Sequence, residues 1–150
     1  MAVVALDTGA LIALEDALGR PTHIHPLKEH LAAWTRDKVE LVAPSPAWCE
    51  YWRGRGANHH FIATLKRRVR VVPVDQNAAE VAAEALRAAY TFDDPEPAIH
   101  TIDAMVMAVA NQHGGALYTA DSEDLTRLWD HFPRIKTLLD TDGTVLRSRR

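Results

Sequence analysis

Four acidic residues stand out in this 150-residue sequence because their neighbours are apolar. Asp7 ends the run Val3-Val4-Ala5-Leu6, and Asp121 follows the run Ala116-Leu117-Tyr118-Thr119. Asp103 sits beside Ile102 and ahead of Ala104-Met105-Val106-Met107-Ala108-Val109-Ala110, while Glu50 is flanked by Trp48, Cys49, Tyr51 and Trp52. Burying a lone carboxylate in such company is costly, though less so near a helix N-terminus, where free N–H groups favour negative charge. Convergent carboxylates repel one another unless a cation compensates them. Oxygen ligation without a His or Cys cluster suits Mg2+ or Mn2+ better than zinc. Such an ion lowers the pKa of a bound water and stabilises a leaving oxygen, which is the chemistry of attack on a phosphodiester. Taken singly, each acid has a simpler role: Asp7 and Asp121 as helix caps, Asp103 as a first-turn residue, Glu50 as a salt-bridge partner of Arg53. The metal reading therefore requires that the four meet.

Elements able to bring them together are visible in order along the chain. A buried parallel strand reads as a continuous apolar run, and an acid at its carboxyl end faces the crevice where open α/β sheets hold ligands. After the first strand, Thr8 is placed to cap a helix carrying Ala10, Leu11, Ala13, Leu14 and Leu18, which Gly19-Arg20-Pro21 breaks. A helix from Pro26 carries Leu27, Leu31 and Trp34, and Val39 to Ala43 is a short strand. Ser45-Pro46 opens the helix of Glu50, which Gly54 or Gly56 ends. Phe61, Ile62 and Leu65 indicate another helix running into Lys66-Arg67-Arg68, before a β-branched strand over Val69 to Val74. Asp75 or Asn77 caps an alanine-rich helix to about Tyr90, and Thr91 to Pro97 is an acidic, proline-punctuated loop. The Asp103 helix, closed by Gly114-Gly115, leads to a strand over Ala116 to Thr119, a helix over Ser122 to Trp129 and a strand over Ile135 to Leu139. The remaining tail is polar and expected to be loose. Strands alternating with helices predict an α/β fold with a mainly parallel sheet.

Composition sets outer limits. Apolar residues make up 47% and charged residues 25%, as in ordinary soluble domains, and the length suits one domain. No run approaches the roughly 18 apolar residues of a membrane span, and no basic segment precedes the first strand as in a signal peptide. Cys49 is the one cysteine, which fits a cytoplasmic chain. The net charge of −3 does not advertise nucleic-acid binding. However, Arg53, Arg55, Lys66, Arg67, Arg68 and Arg70 lie close in sequence, and Arg147, Arg149 and Arg150 end it, so a basic rim around an acidic centre is open. None of the eight histidines shows metal-binding spacing with another ligand; His100 alone is close to one of the four acids, Asp103.

Leu6-Asp7-Thr8-Gly9-Ala10-Leu11-Ile12, Glu50-Tyr51-Trp52-Arg53-Gly54, Thr101-Ile102-Asp103-Ala104 and Tyr118-Thr119-Ala120-Asp121 resemble, in order, the four motifs of PIN-domain proteins. Within that family the chain is most similar to the VapC-type ribonuclease toxins of prokaryotic toxin–antitoxin pairs. The resemblance implies a PIN-like three-layer α/β/α sandwich over residues 1–140, with 141–150 as a polar, basic tail. It implies a catalytic and metal-binding cluster of Asp7, Glu50, Asp103 and Asp121 around Mg2+, or Mn2+, with Asp7 and Asp103 as the most direct ligands. Thr8 and Thr119 match supporting hydroxyl residues, and Asp124 stands where many members keep a further acid that shares or replaces the role of Asp121. Gly9 departs from the family, where a Ser is frequent. The implied partners are an RNA substrate, held by Arg53 and Arg55, a cognate antitoxin and a second copy in a homodimer. Trp48, Trp52 and Phe61 are candidates for an apolar groove for the antitoxin, or for stacking on bases, against ordinary core packing.

Two other classes compete. A PIN-like module that binds RNA or protein without cutting would need a reason, which the sequence does not supply, for keeping all four acids. A phosphoacceptor receiver domain also gathers strand-end acids around Mg2+, but it needs a lysine at the end of a late strand. Lys136, the only late lysine, falls at the start of its strand.

Overall fold

The computed structural model describes residues 2–19, 26–55, 59–90, 100–120 and 122–149. The loop predicted over residues 91–97 and Asp121 itself lie outside the described residues. Val3–Leu6 forms β1, Thr8–Gly19 α1, Pro26–Arg36 α2, Glu40–Pro44 β2, Ser45–Arg55 α3, His59–Arg68 α4 and Val69–Val72 β3. Gln76–Ala89 forms α5, His100–His113 α6, Gly115–Thr119 β4, Ser122–Leu128 α7, Ile135–Asp140 β5 and Val145–Ser148 β6, with a 3-10 turn at Trp129–His131.

The six strands make one sheet in the order β3-β2-β1-β4-β5-β6. β1 to β5 run parallel, and β6 is antiparallel to β5. This is the mainly parallel α/β sandwich expected from the sequence. The strand order reverses direction beside β1: β2 lies on one side of it and β4 on the other. That is a topological switch point, and the carboxyl ends of β1 and β4 border it.

The apolar runs read as strands are buried because helices cover them. Leu6, Val42, Ala43, Leu117 and Leu138 have no more than 1% of their surface exposed, as do Leu11, Leu14 and Tyr51 on the helices above them. Asp75 caps α5: its Oδ1 accepts the Ala78 amide at 2.8 Å, and this bond, with a second from the Gln112 side chain, lowers its pKa. β3 stops at Val72, short of the predicted Val74, since Pro73 has no N–H to give the ladder. Gly115 is held at φ +86° against β1, where a Cβ would lie 2.2 Å from the Val3 carbonyl oxygen.

The expectation of a loose tail is overturned. Val145–Ser148 pairs with β5 across Thr137, Leu138 and Leu139. Arg149, read from sequence as part of a basic surface group, secures this strand. Its guanidinium donates to the carbonyls of Trp129 at 2.7 Å, Phe132 at 3.1 Å and Ile135 at 2.8 Å, and lies 3.7 Å over the Trp129 ring. Four apolar-polar residues after a glycine turn gave too short a pattern to read as a strand.

α2 is tied to the sheet by an aromatic cluster. The buried ring of Tyr118 meets Trp34 edge-on at 5.0 Å and His30 at 5.7 Å. Burial, helped by Asp142, pushes the Tyr118 phenol up to about 12.

Two outcomes follow from these contacts. Arg149→Ala removes charge-assisted bonds to three carbonyls and should destabilise the fold by about 1–3 kcal/mol, read from urea unfolding. For Tyr118, the raised folded pKa means that its protonated form stabilises the native state below pH 10, and that this contribution is lost as pH rises from 10 towards 12. Tyr118→Phe should therefore flatten the alkaline loss of melting temperature in that window.

Candidate active site

Asp7, at the end of β1, is built into two elements at once. Its amide donates to the Tyr118 carbonyl at 3.1 Å, extending the β1–β4 pairing by one residue. Its own carbonyl accepts from Leu11 at 3.0 Å, and its Oδ1 accepts the Ala10 amide at 2.8 Å. Asp7, and not Thr8, is thus the N-cap of α1. The residue is only 8% exposed, and its carboxylate lies at the positive end of the helix dipole, where negative charge is least costly.

Thr8 is released from capping and reaches across to α3. Its hydroxyl donates to Glu50 Oε1 at 2.8 Å, with the Ala47 carbonyl 3.4 Å away. Glu50 is half-buried and does not take the expected structural role of an Arg53 salt bridge; its described partner is Thr8. Asp103 enters from the first turn of α6, again near a helix N-terminus. Asp7, Glu50 and Asp103 together line one cleft of about 230 Å3, with Thr8, Gly9 and Ala120 at its rim and Ile102 and Val106 as apolar walls. The cleft stands at the switch point. Three of the four acids singled out from sequence therefore meet there, and Ala120, the residue before Asp121, borders it.

Thr119 is fully buried at the end of β4, beneath this edge. Asp124 lies in the first turn of α7 and faces His100: Nδ1 of His100 is 3.8 Å from Asp124 Oδ2. His100, Asp103 and Asp124 each place one possible ligand atom within 4.8 Å of the others. His100, the histidine set apart in the sequence by its closeness to Asp103, thus stands beside the acids. The signal was present as the three-residue interval between His100 and Asp103, which puts both on one helix face.

Gly9 has a structural reason for departing from Ser. A Cβ there would lie 2.2 Å from the Ala120 Cβ, so the first turn of α1 packs on the end of β4 only without a side chain. Ala120 supplies the methyl group that fills the contact.

Around the cleft, Arg53 is exposed on α3, three residues after Glu50; the Arg55 side chain lies outside the described residues. Trp48 packs partly against the core, while Trp52 is 38% exposed, with Lys66 Nζ 4.8 Å over its ring. The side chain of Phe61, the third member of the expected apolar groove, is also outside the described residues. Part of the basic group is engaged in the fold: Arg68 donates to Thr35 Oγ1 at 2.6 Å, and Arg70 pairs with Glu40. No helix among the described residues is long and apolar enough to cross a membrane.

The Gly9–Ala120 contact makes a sharp prediction. Gly9→Ser should destabilise the protein by about 1–3 kcal/mol through overpacking. Combining it with Ala120→Gly should recover more than half of that loss, measured as a double-mutant cycle in denaturant.

Comparison with known proteins agrees with this geometry. Residues 4–128 match the PIN domain family. The DNA-bound VapBC complex of Salmonella typhimurium superposes with a TM-score of 0.64 at 19% identity, covering 94% of this chain and 99% of that one. VapBC2 of Rickettsia felis, bound to a promoter fragment, gives 0.64 at 11%, covering 92% and 98%. FitAcB of Neisseria gonorrhoeae gives 0.57 at 21%, covering 83% and 92%. No curated protein matches in sequence. With the family matched over most of its length and the acids of three motifs gathered in one cleft, the chain belongs to the PIN domain family.

Proposed function

We propose that this protein is a divalent-metal-dependent endoribonuclease of the VapC type, acting as the toxin of a toxin–antitoxin pair. The observation that carries the reading is the meeting of Asp7, Glu50 and Asp103, from β1, α3 and α6, in one cleft at the switch point. Structural caps alone would not require three carboxylates to share a cleft, and their mutual repulsion calls for a cation. The donor set is made of carboxylates, which suits Mg2+ or Mn2+. Asp7, Glu50 and Asp103 would hold such an ion, with Asp121 as the fourth acid and Thr119 and Asp124 supporting.

When bound, the ion supplies charge neutralisation and a water of lowered pKa beside the phosphodiester. The chain's own residues do the positioning. The Ala10 amide fixes one oxygen of Asp7, and the Thr8 hydroxyl fixes one oxygen of Glu50, so two ligands are oriented before any ion or RNA arrives. Ile102 and Val106 give the cleft apolar lining. Arg53 and Arg55 are assigned to the RNA backbone, where their effect should weaken with salt. Trp52, exposed on the same helix as Glu50, offers a stacking face for an unpaired base.

Assignment to a toxin–antitoxin pair is supported by the likeness to VapBC and FitAcB complexes. On that assignment an antitoxin segment covers the cleft, and two copies associate as a homodimer in the cytoplasm.

The deciding experiment is cleavage of a panel of cellular RNAs with Mg2+ or Mn2+ by the wild type and by Asp7→Asn. Asn caps helices as well as Asp does, so the fold should be kept. Activity should be abolished by chelator and should fall more than about 100-fold in the variant, beyond what loss of a merely supporting group costs. Equal cutting by both proteins, or none by either, would leave the acids as structural or binding groups in a non-catalytic module.

A further inference from the structure

We propose that His100, Asp103 and Asp124 form a nitrogen-containing cation site beside the acidic cleft, selective for first-row transition ions of the Mn2+ class over Mg2+. The proposal rests on the nuclease reading only in that Asp103 belongs to both groups: it lines the cleft with Asp7 and Glu50, and it also faces His100 and Asp124.

The first observation is geometric. His100 and Asp103 are one turn apart on α6, and Asp124 comes from the first turn of α7. One possible ligand atom from each lies within 4.8 Å of the other two. Three donors spread evenly around an ion with bonds of about 2.1 Å are roughly 3.6 Å apart, so the trio closes around an ion when its wider pairs draw in by up to about an ångström, within reach of side-chain rotation.

The second observation is independent of the acids. Nδ1 of His100 is buried and has no hydrogen-bond partner among the described residues. At 3.8 Å, Asp124 Oδ2 is too far to serve as one. Buried polar atoms are almost always satisfied, and an orphaned imidazole nitrogen aimed at two carboxylates is satisfied by a cation that all three can ligate. The ring is also held in place. It stacks on Tyr90 at 4.4 Å with the planes 8° apart, and Arg127 lies 4.0 Å over that same tyrosine while donating to the Ala89 carbonyl at 3.1 Å. A ligand positioned by packing loses little freedom on binding.

The donor set fixes the class of ion. Two carboxylates alone would take Mg2+, which is hard and prefers oxygen. Adding an imidazole raises affinity for first-row transition ions and gives Mg2+ almost nothing. His100 thus acts as the selectivity ligand of a site whose other members would accept either.

The test uses the full chain, with Mn2+ and Mg2+ as probes and His100→Phe as the variant. Phe keeps a ring to stack on Tyr90 and removes both nitrogens. Pulsed electron paramagnetic resonance of bound Mn2+ should show coupling to a directly bound nitrogen in the wild type and lose it in His100→Phe. Calorimetry should show Mn2+ affinity falling by about tenfold or more in the variant, with Mg2+ affinity changed less than about threefold. Should His100→Phe not melt cooperatively, Asp124→Asn takes its place, with the same loss of Mn2+ affinity expected. Absence of nitrogen coupling in the wild type, or unchanged Mn2+ affinity in a folded variant, overturns the proposal. Asp7→Asn separates the two readings: nitrogen-coupled Mn2+ that persists in it supports this site whether or not RNA cleavage is lost, and cleavage lost in it while His100→Phe binds Mn2+ normally leaves the nuclease standing without this site.

Discussion

The cleft depends on the way one residue, Asp7, is shared between sheet and helix. Its N–H closes the β1–β4 pairing on Tyr118, its carbonyl begins the α1 ladder at Leu11, and its carboxylate caps the same helix through Ala10. The carboxylate cannot move without disturbing the end of the sheet or the start of the helix. An acid on a loop would swing away from its neighbours to relieve repulsion, and this one has no such freedom. The charge is therefore held in place by elements whose own stability comes from burial of Leu6, Leu11 and Leu14. Thr8 extends the same constraint to Glu50, since its hydroxyl is delivered by the first turn that Asp7 caps.

Much of this was legible in the sequence, and the parts that were not share a cause. Strand runs such as Val3 to Leu6 and Ala116 to Thr119 announce themselves locally, and so do acids misplaced among apolar neighbours, as at Glu50 and Asp103. The partner of Thr8, whose supporting role the family motif implied, and the roles of Gly9 and Arg149 depend instead on positions far along the chain: Glu50, Ala120 and the carbonyls around Trp129. A threonine after a strand is as good a cap as an aspartate by propensity, and only the three-dimensional course of α3 decides which of the two is called away. His100 belongs with them, since the three-residue interval to Asp103 is visible in sequence but Asp124 is not linked to either until α7 packs.

The basic residues divide along similar lines. A run such as Lys66 to Arg70 suggests a surface for polyanions, yet Arg68 and Arg70 are engaged by Thr35 and Glu40, and Lys66 sits on Trp52. Some of the positive charge thus holds α2, α4 and the outer strands together. The positive charge left unengaged among the described residues is therefore smaller than the count of cations suggests.

The sixth strand has a consequence for how the molecule meets its own kind. An open sheet presents unpaired backbone at both borders, and such borders recruit further strands. Here one border is β3, which carries Arg70 and is cut short by Pro73, and the other is β6, four residues long and carrying Arg147 beside the anchored Arg149. Charge, brevity and proline together discourage sheet-to-sheet growth. The segment that looked like a tail thus replaces the longer β5 at the sheet border with a short, charged strand.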